Sequence, residues 1–86
     1  MTLDMLKKGQ RAKITKLNIT DAKLKKRLID IGFLPSNIVE MYKKQNLKKD
    51  LSIVVCCGTK YAIRNDILNK IEVQLLVKQS QEELSM

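Results

Sequence analysis

The sequence contains no histidine and no tryptophan, and its aromatic side chains are one phenylalanine and two tyrosines. The lack of histidine removes the side chain that most often acts as a general base at neutral pH. The three glycines, Gly9, Gly32 and Gly58, lie far apart, so there is no glycine-rich loop that would cradle phosphate groups. We therefore expect a protein that is not an enzyme and that needs no cofactor.

Long apolar runs are also absent, since none approaches the roughly 18–20 residues that a membrane-spanning helix requires. The first residues lack the charged start and apolar segment of a signal peptide. The two cysteines are adjacent, a spacing that does not indicate the disulfide framework of a secreted protein. The sequence therefore predicts a cytoplasmic protein, which meets a membrane only through a partner.

The adjacent cysteines, Cys56 and Cys57, end a segment that is typical of a strand. Side chains of neighbouring strand residues point to opposite faces, so the two thiols would not hold one metal ion together. A tetrahedral thiolate site also needs further ligands, which the sequence does not supply in paired spacing. We expect one cysteine to be buried, the other to lie near the surface, and no metal site; an intermolecular site or disulfide through the exposed thiol stays open.

Positive charge is abundant, with 17 Lys and Arg against 9 Asp and Glu and a net charge of +8. This excess favours an anionic partner, which is a nucleic acid, an acidic protein or an anionic membrane surface. The three aromatic residues form no obvious stacking platform, and no helix-turn-helix pair is present. A basic nucleic-acid-binding module therefore remains only as the alternative function.

Five short segments have the composition or the alternation of strands: residues 12–17, 38–42, 51–57, 60–64 and 71–77. Short helical turns are predicted at residues 3–6 and at residues 66–70, the second capped by Asn65, and a hairpin turn at Gly58-Thr59. Strands this short must curl to bury one face and to limit exposed edges. The sequence therefore predicts a mainly β fold, a small barrel of about five strands with one inserted α-helix and a short helical turn. A polar loop is predicted over residues 43–50. The sequence therefore predicts a single domain at residues 1–77, followed by a polar tail over residues 78–86.

The inserted helix is basic and amphipathic, and its apolar face has the spacing i, i+4 and i+7: Leu24, Leu28 and Ile31. Thr20 or Asp21 is placed to cap its start, and Gly32 can take the left-handed conformation that ends a helix. Ile29 lies about 100° round from Leu28, which widens the apolar face. Either one edge of this face is exposed for binding, or all four residues belong to the core.

Several segments, in this order and spacing, resemble the FeoA family, ferrous iron transport protein A. They are Leu3-x-x-Leu6-x-x-Gly9, Ile14, residues 27–35 (Arg-Leu-Ile-Asp-Ile-Gly-Phe-Leu-Pro), residues 62–64 (Ala-Ile-Arg) and residues 71–73 (Ile-Glu-Val). The resemblance implies an SH3-like barrel and an accessory protein. It further implies a partner, FeoB, the membrane permease for ferrous iron with a cytoplasmic GTP-binding domain.

The chain departs from the family pattern after Pro35, where Ser36 stands in place of the usual glycine. Because serine does not easily adopt positive φ, we expect a type I turn here, or Asn37 in the strained position. The family's usual Gly-Asp-Pro turn appears as Lys-Asp-Leu at residues 49–51, and the cysteine pair is no part of the pattern.

The candidate partner-binding residues belong to the helix and to the turn after it: Lys25, Lys26, Arg27, Leu28 and Leu34. The helix offers both positive charge and apolar area, which suits an acidic surface on the permease. Alternatively, the leucines are simply core and Arg27 is a solvated charge. An uncovered strand edge would also allow pairing between two copies of the chain, as a homo-oligomer.

Overall fold

Five antiparallel strands form one sheet in the computed structural model, which describes residues 1–44 and 50–76. The strands are β1 (Arg11–Leu17), β2 (Ile38–Lys44), β3 (Leu51–Cys56), β4 (Thr59–Arg64) and β5 (Ile71–Leu75). Helix α1 (Ala22–Asp30) lies between β1 and β2, the single-turn helix α2 (Asn65–Leu68) lies between β4 and β5, and a 3₁₀ turn (Leu3–Met5) precedes β1. The predicted mainly β class with one inserted helix is confirmed.

The strand order is β4-β3-β2-β1-β5. The pairing shifts by one residue between Ile14 and Lys16 in β1, and again between Met41 and Lys43 in β2. An extra residue of this kind bends a strand and increases its twist. These two irregularities let a small sheet curl around its buried face.

Alternation along the strands builds the core, as β3 shows with Ser52, Val54 and Cys56 buried and their neighbours partly exposed. Helix α1 contributes Leu28, which is 4% exposed, and the segment after it contributes the fully buried Phe33. The Phe33 ring meets the Tyr61 ring of β4 edge to face, with centroids 5.8 Å apart. This contact ties the end of the helix to the sheet.

Local interactions define both ends of α1. The Asp21 carboxylate accepts hydrogen bonds from the backbone N–H of Lys23 at 3.0 Å and of Leu24 at 3.3 Å, so Asp21 is the cap. At the other end Gly32 has φ +107°, and the N–H of Phe33 donates to the Leu28 carbonyl at 2.9 Å. That bond satisfies a carbonyl that the helix leaves free. The predicted glycine stop is confirmed.

Two strands, β2 and β5, end two residues away from their predicted ends, and the other predicted strand boundaries differ by at most one residue. Strand β2 continues through Lys44, which pairs with Ser52 of β3, where the sequence predicted a loop from residue 43. Strand β5 ends at Leu75. The predicted loop positions 45–49, residue 77 and the tail at residues 78–86 lie outside the described residues. Within the described ranges, no helix has the length and apolar character to cross a membrane.

The prediction that Asn65 caps the second helical turn is wrong. The cap position is Arg64, and the side chain of Asn65 instead serves a buried hydroxyl of β3. Ser52 is fully buried and its Oγ donates to Asn65 Oδ1 at 2.7 Å, while Asn65 Nδ2 donates to Asp50 Oδ1 at 3.0 Å. A buried hydroxyl group needs a hydrogen-bond partner, so the Asn65 side chain accepts from Ser52 and does not cap α2.

Ser36 itself adopts the positive φ, at +82°, so the prediction that it would avoid this conformation is wrong. It is the third residue of a turn closed by a 3.0 Å hydrogen bond from the Asn37 N–H to the Leu34 carbonyl, with Pro35 second. That arrangement is a type II turn, which requires positive φ at its third position. The Ser36 N–H also donates to the Ile14 carbonyl at 2.7 Å, which fixes the turn against β1.

We expect Ser36→Gly to stabilise the protein by about 0.5–1 kcal/mol, because relief of left-handed strain exceeds the extra backbone entropy that glycine loses on folding. Urea unfolding followed by circular dichroism measures this free energy. Thr20→Gly is the matched control, since Thr20 is exposed and its φ is not positive. The control should lose stability, and a loss in Ser36→Gly as well would contradict the strain assigned to this turn.

Candidate functional site

Helix α1 stands between two apolar grooves. The β4 groove lies between α1 and β4 and encloses about 300 Å³, with Leu24 and Ile31 on the helix side and Tyr61 and Ile63 on the strand side. The β1 groove lies between α1 and β1 and encloses about 350 Å³. Each groove is open to solvent and is bordered by cationic side chains.

The predicted binding residues on α1 do not form one patch. Lys25 borders the β1 groove and Arg27 borders the β4 groove, because residues two positions apart lie about 200° apart round a helix. Lys26 Nζ lies 3.4 Å from Asp30 Oδ2 in an exposed ion pair, which contributes little to stability. Positive charge is therefore distributed round the exposed side of the helix.

The predicted apolar residues also separate. The side chain of Leu28 belongs to the core, whereas Leu34 is 37% exposed. Ile29, which faces the β1 groove, is also 37% exposed, so one edge of the apolar face of α1 is on the surface. That outcome matches the first of the two alternatives for the helix. Partner binding through these residues stays a prediction.

The sequence did not predict the side of the β4 groove opposite α1, which is formed by β4 and α2. Arg64 ends β4 at this wall, and its Nη2 lies 2.7 Å from Asp66 Oδ2 in an exposed pair. Tyr61 Oη donates to the Ile31 carbonyl at 3.5 Å, which holds the end of α1 against β4. The Ala-Ile-Arg segment at residues 62–64 was the available signal, but only the fold brings Arg64 to the same groove as Arg27.

The β4 groove combines an apolar floor with two guanidinium groups, Arg27 and Arg64. Among the described strands, β4 ends the sheet and pairs only with β3. An unpaired strand edge offers backbone hydrogen bonds to an added strand, and guanidinium groups bind carboxylates in bidentate geometry. This arrangement can accept an extended segment that is both apolar and acidic.

The cysteine pair lies at the β3–β4 hairpin, whose two-residue loop is Cys57-Gly58 instead of the predicted Gly58-Thr59. Both loop residues have positive φ, +56° and +80°, and Cys56 pairs with Thr59 across the hairpin. Positive φ at both positions is typical of the tight turn that matches strand twist. Cys57 is therefore outside the strand, and the prediction that the two thiols point to opposite faces is wrong: their Sγ atoms lie 3.7 Å apart.

The two thiols have different environments, which confirms the predicted division into one buried and one exposed cysteine. Burial raises the pKa of the Cys56 thiol to about 12, and its hydrogen bond and charge interaction with Cys57 act in the same direction. Cys56 Sγ donates to the Gly32 carbonyl at 3.3 Å. Cys56 is therefore a neutral, shielded thiol at physiological pH.

We expect an alkylating reagent at neutral pH to modify Cys57 rapidly and Cys56 only when the protein unfolds, because the thiolate is the nucleophile and access is required. Mass spectrometry of the folded protein should show one fast addition, which Cys57→Ser removes. Cys56→Ser is the matched control and should retain the fast addition. Equal labelling rates at both thiols would contradict the burial of Cys56.

The curled sheet of five strands, with one helix inserted between β1 and β2, defines a small SH3-like domain. The model of the FeoA domain matches residues 1–75. The chain therefore belongs to the FeoA family, which is associated with ferrous iron transport. The resemblance seen in the sequence is confirmed.

Solved structures of FeoA proteins share this fold. The chain is 28% identical to the FeoA protein of Chlorobium tepidum, with a TM-score of 0.81, covering 90% of this chain and 71% of that one. It is 24% identical to iron(II) transport protein A of Clostridium thermocellum, with a TM-score of 0.79, covering 88% of this chain and 46% of that one. The chain is 22% identical to FeoA of Stenotrophomonas maltophilia, an SH3-domain protein whose structure was solved in complex with zinc. The TM-score is 0.72, covering 86% of this chain and 89% of that one. No curated protein sequence matches the chain.

Proposed function

We propose that this protein is a cytoplasmic accessory factor of ferrous iron uptake that binds the cytoplasmic region of a FeoB-type permease and modulates it. Membership of the FeoA family carries this proposal. An adaptor role is consistent with the lack of histidine and with the net charge of +8, which steers the domain toward an acidic protein surface. The protein itself carries out no reaction in this proposal.

The β4 groove is the proposed contact for the permease. Its floor is apolar, its rim carries Arg27 and Arg64, and it lies beside β4, which ends the sheet among the described strands. Buried aromatic and arginine side chains dominate the energetics of protein interfaces, and Tyr61 together with the two arginines supplies them here. Lys25, Lys26 and Leu34, none of which lines this groove, stay proposed contacts.

We expect the double variant Arg27→Glu/Arg64→Glu to bind the permease's cytoplasmic domain at least about tenfold more weakly than the wild type, which corresponds to about 1.4 kcal/mol. Isothermal titration at low salt measures the dissociation constant. Lys7→Glu/Lys8→Glu is the matched control, since both residues are exposed and the net charge changes by the same amount. The control should bind with nearly the wild-type affinity.

The two parts of the proposal fail in different ways. Equal losses in both double variants would show that only net charge matters, and would overturn the β4 groove as the contact. No binding by a folded wild-type sample at low salt would overturn the permease as the partner.

The alternative, a nucleic-acid-binding module, gains no support from the positions of the aromatic rings. All three lie in the described residues: Phe33 is buried in the core and Tyr61 is partly buried against it. Tyr42 is exposed, but Lys60 Nζ lies 4.1 Å from its ring centroid. Stacking of successive bases needs several exposed rings along one surface, which this arrangement does not provide.

A further inference from the structure

Two thiols and a backbone carbonyl converge where the β3–β4 hairpin meets the end of α1. The Sγ atoms of Cys56 and Cys57 are 3.7 Å apart, and Cys56 Sγ lies 3.3 Å from the Gly32 carbonyl oxygen. Asn37 Nδ2 donates to the same carbonyl at 2.7 Å and so orients it. Neither the proposed contact for the permease nor the family pattern uses the two thiols.

Two distances among these atoms, from Cys56 Sγ to Cys57 Sγ and from Cys56 Sγ to the Gly32 carbonyl oxygen, agree with edges of a metal-centred tetrahedron. Zinc–thiolate bonds of about 2.3 Å at tetrahedral angles place the two sulfur atoms about 3.8 Å apart. A zinc–oxygen bond of about 2.1 Å in the same tetrahedron places that oxygen about 3.6 Å from each sulfur. The observed Sγ–Sγ distance of 3.7 Å therefore needs almost no adjustment, and the Sγ–O distance of 3.3 Å needs little.

The space around the thiols depends on the backbone of two residues. A Cβ atom on Gly32 would lie 2.8 Å from Cys57 Sγ and 3.6 Å from Cys56 Sγ, so only glycine leaves this side of the pair open. The positive φ of Cys57 takes its thiol out of the strand alternation and toward Cys56. Cys57 also lines a surface pocket of about 230 Å³, which gives solvent a route to the pair.

We propose that Cys56 and Cys57 chelate one thiophilic divalent metal ion, represented by Zn²⁺, with the Gly32 carbonyl as a third ligand and solvent at the fourth position. As the two S–metal bonds form, the two S–H protons pass to solvent and no electron is transferred. Among the described residues no third Cys, Asp or Glu side chain joins the two thiols as a metal-binding group, so the other ligands in this proposal are the backbone carbonyl and solvent. Thiolate ligands bind Zn²⁺ more tightly than Fe²⁺, so this ion is distinct from ferrous iron.

The test uses the full chain, oxygen-free and with a non-chelating reductant. Added Co²⁺ should produce a near-ultraviolet thiolate-to-cobalt charge-transfer band, and Zn²⁺ should abolish it by displacement. Competition with a chromophoric chelator measures the Zn²⁺ affinity. We expect one ion per chain, and an affinity at least about tenfold lower in Cys57→Asn, since even loss of an outer-shell partner costs that much at metal sites. The variant Cys56→Ala/Cys57→Asn should show no charge-transfer band.

Cys57→Asn is chosen because asparagine accepts the left-handed conformation of this turn, so the hairpin should stay folded. Circular dichroism before and after metal addition checks the fold of each variant. Glu40→Gln is the matched control, since Glu40 lines the same pocket as Cys57 but is not a proposed ligand, and it should keep the wild-type affinity. Absence of the charge-transfer band in the wild type, or equal Zn²⁺ affinity in wild type and Cys57→Asn, overturns the proposal.

Discussion

Replacing Phe33 with alanine is expected to lower the free energy of unfolding by about 3–5 kcal/mol. The side chain is fully buried, and its ring packs edge to face against Tyr61 at 5.8 Å. Removal of the ring loses both the hydrophobic free energy of its burial and this aromatic contact. It also leaves a cavity that a small core closes only partly. Native domains have only about 5–15 kcal/mol of stability, so this variant should lie close to unfolding.

Equilibrium unfolding in urea, followed by far-ultraviolet circular dichroism, measures the Phe33→Ala effect. Tyr42→Ala is the control with another aromatic side chain, which is exposed and contacts Lys60 through its ring face. We expect it to lose less than about 1 kcal/mol, the usual range for an exposed cation–π contact. Similar losses in the two variants would contradict the position of Phe33 in the core.

Replacing Gly32 with alanine is expected to lower the free energy of unfolding by about 1–3 kcal/mol, chiefly through backbone strain. The residue has φ +107°, a conformation that side-chain-bearing residues rarely adopt. The added Cβ would also lie 2.8 Å from Cys57 Sγ, but rotation about one bond moves that sulfur away. Backbone strain at the end of α1 should therefore account for most of the lost stability, and the contact with the Cys57 sulfur for little of it.

A double-mutant cycle separates the two causes, with urea unfolding as the measurement. In a Cys57→Gly background the Gly32→Ala loss should persist within about 0.5 kcal/mol, because strain does not depend on the thiol. Gly9→Ala is a further comparison, since Gly9 has φ +88° and a Cβ added there would meet no atom within 4 Å. Full recovery of stability in the Cys57→Gly background would show that the clash, and not the backbone, is responsible.

Helix α1 could be predicted from the sequence because its determinants are local. Asp21 caps it, Leu28 lies on its apolar face, and Gly32 ends it, all within one short segment. The hairpin could be predicted only in part. Gly58 indicates a turn, but the choice of loop residues depends on how β3 registers against β4, with Cys56 opposite Thr59. That register is set by packing of the sheet, and it moved Cys57 from the strand into the turn.

Two other wrong predictions share a cause, which is a partner that is distant in sequence. Ser36 adopts positive φ while its N–H donates to Ile14 of β1. Asn65 accepts from Ser52 of β3 instead of capping its own helix. The β4 groove was not predicted for the same reason, because Arg27 of α1 and Arg64 of β4 come to line one groove only in the folded chain. Local propensities carry no information about such partners.

The pairing of β1 with β5 has a consequence for how the chain folds during synthesis. Ala12 pairs with Leu75, and Ile14 pairs with Val73, so the edge of β1 that does not face β2 stays unpaired until β5 is available. Strands β2, β3 and β4 follow one another as hairpins and need only local contacts to begin. Contacts between distant residues slow folding, because loop closure costs entropy before the contact forms. A nascent chain therefore completes this sheet only after β5 has left the ribosome, and until then β1 presents an open edge that other chains can join.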